Sequence, residues 1–378
     1  MIGFKLEILW HFLLFRWQRR KRFNQKSLHQ LRATKETRWR KNLQKSPFYK
    51  AFSGQSLSQF PIMDKSSFMT HFDEINTVGI TKEEAFAVGL ESEKSRNFSP
   101  TVRGTTVGLS SGTSGNRGIF LASQTERAIW VAAILDRVIG FSLRKRKVAF
   151  FLRANSTLYE SVNSSLLQFK FFDIKSDMEE HCQTVVATSP HILVGQPSVL
   201  IHIARHYEQT GQRPSFEKVI SVAERLADDQ KAYLEKVFKI MIDQVYQCTE
   251  GFLAHTCKAG FLHFNEDWLL IEKKYLDEDK KRFHPIITDL LRATQPIVRY
   301  ELNDIIHEGE PCSCGLKTMQ IAKIEGRSDD VFEFVHDDKT ITIYPDFIRQ
   351  AVAFSSDVID NYVVIRRSEK KIGLFIEV

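Results

Sequence analysis

Between residues 147 and 251 the chain repeats one pattern: a short apolar run, then a polar or amphipathic stretch. KVAFFLR (147–153) predicts a strand, and SSLLQFKFFDI (164–174) leads into a second. PHILVGQPSVLIHIARHYEQTG (190–211) predicts a buried strand, a turn at Gly195–Pro197 and a helix. FEKVISVAERLADDQKAYLEKVF (216–238) repeats strand and helix, and KIMIDQVYQCTEG (239–251) is a strand running into a loop. Short apolar strands joined by amphipathic helices must run largely parallel and be covered on both faces, which predicts an α/β fold. After residue 259 the pattern turns β-rich, through GFLHFNEDWLLIEKK, HPIITDLL and PIVRYELNDIIHEG.

Further local signals bracket this region. In FPIMDKSSFMTHFDEINT (60–77) Asp64 reads as the N-cap of a short helix. Ser123 and Glu126 have capping-box spacing at the head of a helix expected over 123–141. Near residue 326 the style changes to a strand, a helix (PDFIRQAVAFS) and a hairpin (NYVVIRRSEKKIGLFIEV). The organisation expected is a basic helical arm (1–45), a large mixed α/β domain (46–325) and a short, incomplete α+β lid (326–378). With 378 residues, 43% of them hydrophobic, the chain can bury the core this requires.

Charge is informative for where it sits. The formal net charge is +7, yet residues 1–45 hold thirteen Lys/Arg against Glu7 and Glu36, a balance of +11. The remainder therefore carries 7 − 11 = −4, which argues against a nucleic-acid partner. The arm begins MIGFKLEILWHFLLFRWQRRKRF, and its longest uncharged run, Ile8–Phe15, is too short to span a bilayer. It has no small-residue cleavage site, so it does not read as a secretory signal. Trp10, Phe12, Phe15 and Trp17 beside Arg16, Arg19, Arg20, Lys21 and Arg22 fit two arrangements. One is an interfacial helix on an anionic membrane; the other is a terminal helix docked on the body with solvated arginines. Five cysteines without a secretory signal predict free thiols and a reducing cytoplasm, with any membrane contact peripheral to its inner face.

The most distinctive local tract is GLSSGTSGNRG (108–118). Glycines let backbone N–H groups approach a ligand, and hydroxyls beside them form an anion nest suited to phosphates. It is neither a Walker loop nor a dinucleotide fingerprint, because no GK[ST] and no strand–glycine–helix spacing follow.

This tract resembles the phosphate loop of the adenylate-forming superfamily (acyl-CoA synthetases, adenylation domains, luciferases). Ser111-Gly112-Thr113-Ser114-Gly115 carries the match, and Arg117 stands near the usual lysine. Three further segments follow in the family's order: YQCTEG (246–251), RYELNDII (299–306) and GRSDDVF (326–332). SPFYKAF, FPIMDKSSFM, the CTEGF and GFLHFNED segments and EPCSCG resemble the branch containing phenylacetate–CoA ligase, coenzyme F390 synthetase and CapK-like capsule proteins. The resemblance spans residues 45 to 378 and implies activation of a small carboxylic acid by ATP and Mg²⁺, with CoA or another group as acceptor. It implies that Ser110, Ser111, Gly112, Thr113, Ser114, Gly115 and Arg117 hold the pyrophosphate half. Thr249 and Glu250 then hold the α-phosphate and the magnesium, with Tyr246 beside them, and Asp304 and Arg327 anchor the nucleoside. Gln247 and Asn303 replace two glycines of the pattern, and asparagine tolerates positive φ. Lys370 and Lys371 fall too early to match the family's late C-terminal lysine, so the rival reading is a non-catalytic nucleotide-binding protein at a membrane surface.

Two further sets remain. Cys312 and Cys314 share a tight turn, and Cys257 and His263 lie in the β-rich segment before it. Three thiols and an imidazole suit a tetrahedral structural zinc site, although unrelated thiols explain the same residues. Phe150, Phe151, Phe169, Phe171 and Phe172 fit either a pocket for an apolar or aromatic acid or ordinary core packing.

Overall fold

The computed structural model describes residues 2–95, 97–110, 117–152, 163, 166–174, 176–327, 332–336, 339–343, 348, 351–352, 361–368 and 371–377. Helices α1 (Ile2–Gln18) and α2 (Gln25–Leu43) form the arm, joined by a 3₁₀ turn at Arg19–Phe23. Three short helices follow, α3 (Pro47–Lys50), α4 (Lys65–Thr70) and α5 (Phe72–Ile75), and then α6 (Lys82–Ser95). The Asp64 side chain accepts from Ser67 N at 2.7 Å, so the expected cap is present.

A hairpin sheet carries the glycine tract. β1 (Thr101–Val102), β2 (Thr105–Leu109) and β3 (Ile119–Ala122) pair antiparallel, with residues 110–118 connecting β2 to β3. Next comes α7 (Gln124–Ile134), headed by the predicted Ser123–Glu126 capping box. The helix expected to run to 141 changes at Leu135–Ile139 into a π turn, which Gly140 ends with φ 77°. A π turn sets a helix end out of register, and such bulges recur at functional sites.

The main sheet has two halves. Strands β4 (Arg146–Leu152), β5 (Leu167–Asp173), β6 (Ile192–Gly195), β7 (Lys218–Ser221) and β8 (Ile242–Cys248) are parallel in the order β5-β4-β6-β7-β8. From β8 the pairing turns antiparallel through β9 (Gly251–Thr256), β10 (Leu262–Phe264), β11 (Leu269–Tyr275), β12 (Arg282–Asp289), β13 (Tyr300–Glu301), β14 (Asp304–Glu308) and β15 (Gln320–Arg327). The helices Met178–Thr188, Pro197–Thr210 and Asp228–Phe238 cover one face of the parallel half, over Phe151, Leu193, Val219 and Ile242. The expected α/β class and the later β-rich region are both present.

The arm does not form a core of its own. Ile8, Phe15, Trp39 and Leu43 belong to the same hydrophobic cluster as Phe264, Trp268 and Ile287 of the sheet region. The change of style at 326 lies inside β15. Beyond it, β16 (Phe332–His336) pairs with β17 (Lys339–Ile343), and β18 (Asn361–Ser368) with β19 (Lys371–Glu377), the latter being the predicted hairpin. Most of the helix expected at PDFIRQAVAFS lies outside the described residues.

A buried charge cluster fastens the arm. Arg137, on the π turn, donates to Asp267 at 2.6 Å and also to Asn265, and stacks over Trp268 at 3.7 Å. Lys35 of α2 donates to the Asp267 carbonyl at 2.9 Å, and Arg22 lies 3.4 Å from His255 Nε2. Burial opposes ionisation of Asp267, but the attraction of Arg137, Lys35 and Arg22 overrides it and holds the carboxyl well below the usual range. Burial lowers Lys35 to about 8.

Candidate active site

The C-terminal end of β8 is where the parallel half meets the antiparallel half. In open α/β sheets ligands gather at the carboxyl ends of parallel strands. Thr249 and Glu250 form the turn from β8 to β9 there, with Thr249 Oγ1 donating to Glu250 Oε2 at 2.9 Å. Tyr300 is mostly buried beside them. Burial and then the hydrogen-bonded Glu250 carboxylate push its phenol upward, so it stays protonated as a donor.

A second group stands on β8, β14 and β15. Tyr246 of β8 donates to Asp304 Oδ2 of β14 at 2.5 Å. Arg327 sits directly across the ladder from Asp304, with Nε 3.7 Å from Oδ1. Burial raises Asp304, and the Tyr246 hydrogen bond and Arg327 pull it back. Asp304 and Arg327 meet because β14 and β15 pair, and the Tyr246 hydroxyl reaches Asp304 although β15, β10 and β9 stand between β14 and β8 in the sheet order.

The glycine loop ends at the same place. Its neck is closed by Ser110 N donating to Gly118 O at 2.8 Å and Gly118 N donating to Ser110 Oγ at 2.7 Å. Ser111, Gly112, Thr113, Ser114 and Gly115 lie outside the described residues. Gly118 lines a small cleft together with Lys65, Thr249, Glu250 and Tyr300. Arg117 instead forms a bidentate pair with Glu93 of α6, at 2.9 and 2.5 Å, and donates to Ser110 O.

Lys65, inside FPIMDKSSFM, is a cation to which the sequence alone gives no role. Met63 N donates to Arg299 O at 3.0 Å and Glu301 N to Met63 O at 2.8 Å, so residues 62–64 pair beside β13. The Arg299 guanidinium fixes that stretch further by donating to the Ser58 and Phe60 carbonyls. Asp64 then starts α4, and Lys65 lines the same cleft as Thr249 and Glu250. A sequence sees one lysine among 53 Lys and Arg; the signal is the pairing of a loop to a strand more than two hundred residues later.

Next to this cleft lies a cavity of about 520 Å³. Its walls are largely apolar, from Phe120, Trp130, Leu135, Phe150, Phe169 and Val194, and it reaches Cys248 and Thr249. Alternation along the strands divides the phenylalanines. Phe150 and Phe169 line the cavity, whereas Phe151 and Phe172 stack at 4.5 Å in the core on the other face. Phe171 is partly buried against the main core. Gln247 lies at a β-bulge and accepts from Trp130 Nε1 at 3.2 Å. Neither Gln247 nor Asn303 has positive φ, so the conformational tolerance expected of Asn303 is not used.

The four candidate zinc ligands converge. Cys257, His263, Cys312 and Cys314 place their donor atoms within 4.8 Å of one another. Cys257 and Cys312 Sγ are 3.7 Å apart, and Cys314 Sγ is 3.6 Å from His263 Nε2. A tetrahedral ion with Zn–S of about 2.3 Å has ligand edges of roughly 3.8 Å, so the spacing fits. His263 Nδ1 faces the Thr318 carbonyl at 3.0 Å, the outer contact that leaves Nε2 for a metal. N–H groups of Ala259, Cys314 and Leu316 point at the sulfurs. All five cysteines are free thiols.

No family model and no curated protein matches the sequence. Solved structures do. A 2-hydroxyisobutyryl-CoA ligase, in the postadenylation state with R3-HIB-AMP, matches over 93% of this chain and 77% of its own, at 17% identity and TM-score 0.65. The same ligase in an open conformation with 2-HIB-AMP and CoA gives 93%, 79%, 16% and 0.60. An anthranilate CoA ligase in complex with anthranoyl-AMP matches over 71% of this chain and 56% of its own, at 13% identity and TM-score 0.50. At these identities the likeness is one of fold, and the chain has the fold of the adenylate-forming ligases.

Proposed function

We propose that this chain activates a bulky apolar carboxylic acid with ATP and Mg²⁺ and passes the acyl group to CoA. The observation that carries the reading is that Thr249 lines both the small cleft holding Lys65 and Glu250 and the apolar cavity. A carboxylate seated at the cavity's end would meet the α-phosphate at that residue. Its oxygen attacks phosphorus, the bond to the bridging oxygen breaks, and pyrophosphate leaves. A CoA thiolate then attacks the acyl carbon and AMP leaves.

The charge that builds on phosphate oxygens needs preorganised donors and cations. The glycine loop and Lys65 would meet the pyrophosphate half, with Thr249 on the α-phosphate. Glu250, an acceptor-only carboxylate beside a hydroxyl, suits a hard Mg²⁺ ion. Asp304, oriented by Tyr246 and paired with Arg327, would take the ribose hydroxyls. Arg117, held by Glu93, would brace the loop and leave the phosphate contact to Lys65. The SPFYKAF, FPIMDKSSFM, CTEGF, GFLHFNED and EPCSCG segments favour the phenylacetate–CoA ligase, coenzyme F390 synthetase and CapK-like branch, working in the cytoplasm.

The test is ATP–pyrophosphate exchange across a panel of acids. Aromatic and medium-chain acids should support exchange, and short polar acids should not. ATP binding without exchange for any acid would overturn the reading.

The thiol cluster would hold zinc as a structural ion. The turn at Cys312–Lys317 touches the arm, because Lys317 N donates to Arg22 O at 2.9 Å. Elemental analysis should find zinc in the purified chain. Cys314→Ser should release it, and chelation should lower the thermal midpoint. A metal-free chain indifferent to chelator would show that the thiols serve only packing.

A further inference from the structure

Helix α1 is apolar on two opposite faces, and the body covers only one. Ile8 and Phe15 are buried against it, and Phe4 and Phe12 pack there. The other face presents Leu6, Leu9, Trp10, Leu13 and Trp17, with Trp10 66% and Trp17 68% exposed. The spacing 6, 10, 13, 17 is that of one helical stripe. A single exposed leucine needs no explanation, but a contiguous stripe with two tryptophans marks an interaction surface.

A second element flanks the helix at its Phe12 and Arg16 edge. The Phe12 and Phe141 rings lie 6.1 Å apart, and the Arg16 guanidinium sits over both. Phe141 and Leu143 are 57% and 75% exposed, at the end of the π turn that anchors Asp267. Exposed Arg144 and Lys145 follow directly. At the C-terminal end of α1, Arg19 and Arg20 are exposed, and Lys21 Nζ lies 4.6 Å over the Trp17 ring. Two segments over a hundred residues apart therefore offer the same composition at one place, apolar tips ringed by cations. The acid of α1, Glu7, accepts from Thr125 Oγ1 at 2.5 Å.

We infer that this face docks the protein on a bilayer surface bearing anionic headgroups. Tryptophan and leucine enter the headgroup boundary, and the basic rim meets the lipid charge. Charge favours this occupant over a second copy of the chain, since two copies facing across this surface would oppose basic rim to basic rim. No helix among the described residues is long and apolar enough to cross a membrane, so the helix would lie along the surface. The arrangement joins the two alternatives the sequence left open, because the helix docks with one face and leaves the other for lipid. It also reassigns Phe12 and Phe15, which face the body.

Deleting the arm would be a poor test, since Ile8, Phe15 and Arg22 belong to the folded interior. The full chain should instead be sedimented with vesicles of phosphatidylcholine plus phosphatidylglycerol, and with phosphatidylcholine alone. Binding should require the anionic lipid, weaken with salt and shift tryptophan emission to the blue. W10E/W17E and, separately, R19E/R20E should each weaken it by about tenfold or more, with the thermal midpoint and ATP binding unchanged. No binding to anionic vesicles, or equal binding to neutral ones, would overturn the inference. So would a homodimer that W10E/W17E converts to monomer, which would make the face an interface between chains.

Discussion

Asp267→Asn should destabilise the fold by about 3–5 kcal/mol, the cost of leaving buried cations without their counter-charge. Asp267 is 2% exposed and is contacted by Arg137 and Lys35. The Arg137 side chain is itself buried and that of Lys35 largely so, which leaves little room for water to replace the lost charge. The sign of the pH dependence follows from the folded carboxyl lying below its unfolded value. The stabilisation is complete above the unfolded pKa of about 4 and is lost as pH falls toward the folded value. Asp289 acts the other way, because burial raises it to about 6. Its ionisation costs stability as pH rises from about 4 through 6. Denaturant titrations of wild type and Asp267→Asn at neutral pH and near pH 3 would test this. The difference should be large at neutral pH and shrink in acid. A neutral-pH loss below about 1 kcal/mol would show that the cluster does not hold the arm.

Glu250→Gln should lower Mg²⁺-dependent pyrophosphate exchange between about tenfold and a hundredfold, roughly 1.4–2.7 kcal/mol. The substitution keeps the shape of the side chain and removes one charge. Its partners Thr249 and Tyr300 both carry hydroxyls that can still bond to an amide oxygen, so the fold should survive. The loss should fall mainly on turnover and be partly recovered at high Mg²⁺. Wild-type kinetics in this variant would place the metal elsewhere, even with the fold and the activity intact.

Much of the fold was legible because it rests on local periodicity. The strand–helix alternation from 147 to 251, the Asp64 cap and the Ser123–Glu126 box each depend on neighbours a few residues apart. The Cys257–His263 and Cys312–Cys314 pairs could be suggested together, because few ligand sets of that chemistry exist. Tyr246, Asp304 and Arg327 could be nominated only through the ordered motifs, since nothing local to any of them reveals the others.

Tertiary pairing decided the rest. By itself the sequence determined the α/β class, the β-rich sequel and a basic, aromatic arm, since each follows from the order of apolar and charged residues along the chain. Only the folded structure placed Lys65 and Glu250 on one cleft, committed Arg117 to Glu93 and divided Phe150 and Phe169 from Phe151 and Phe172. Only it showed that α1 is buried along one side and exposed along the other. The physical reason is common to all four. A side chain's polarity is written in its own residue, but the partner that satisfies it comes from a strand or helix brought alongside by long-range pairing, and local sequence does not encode which one arrives.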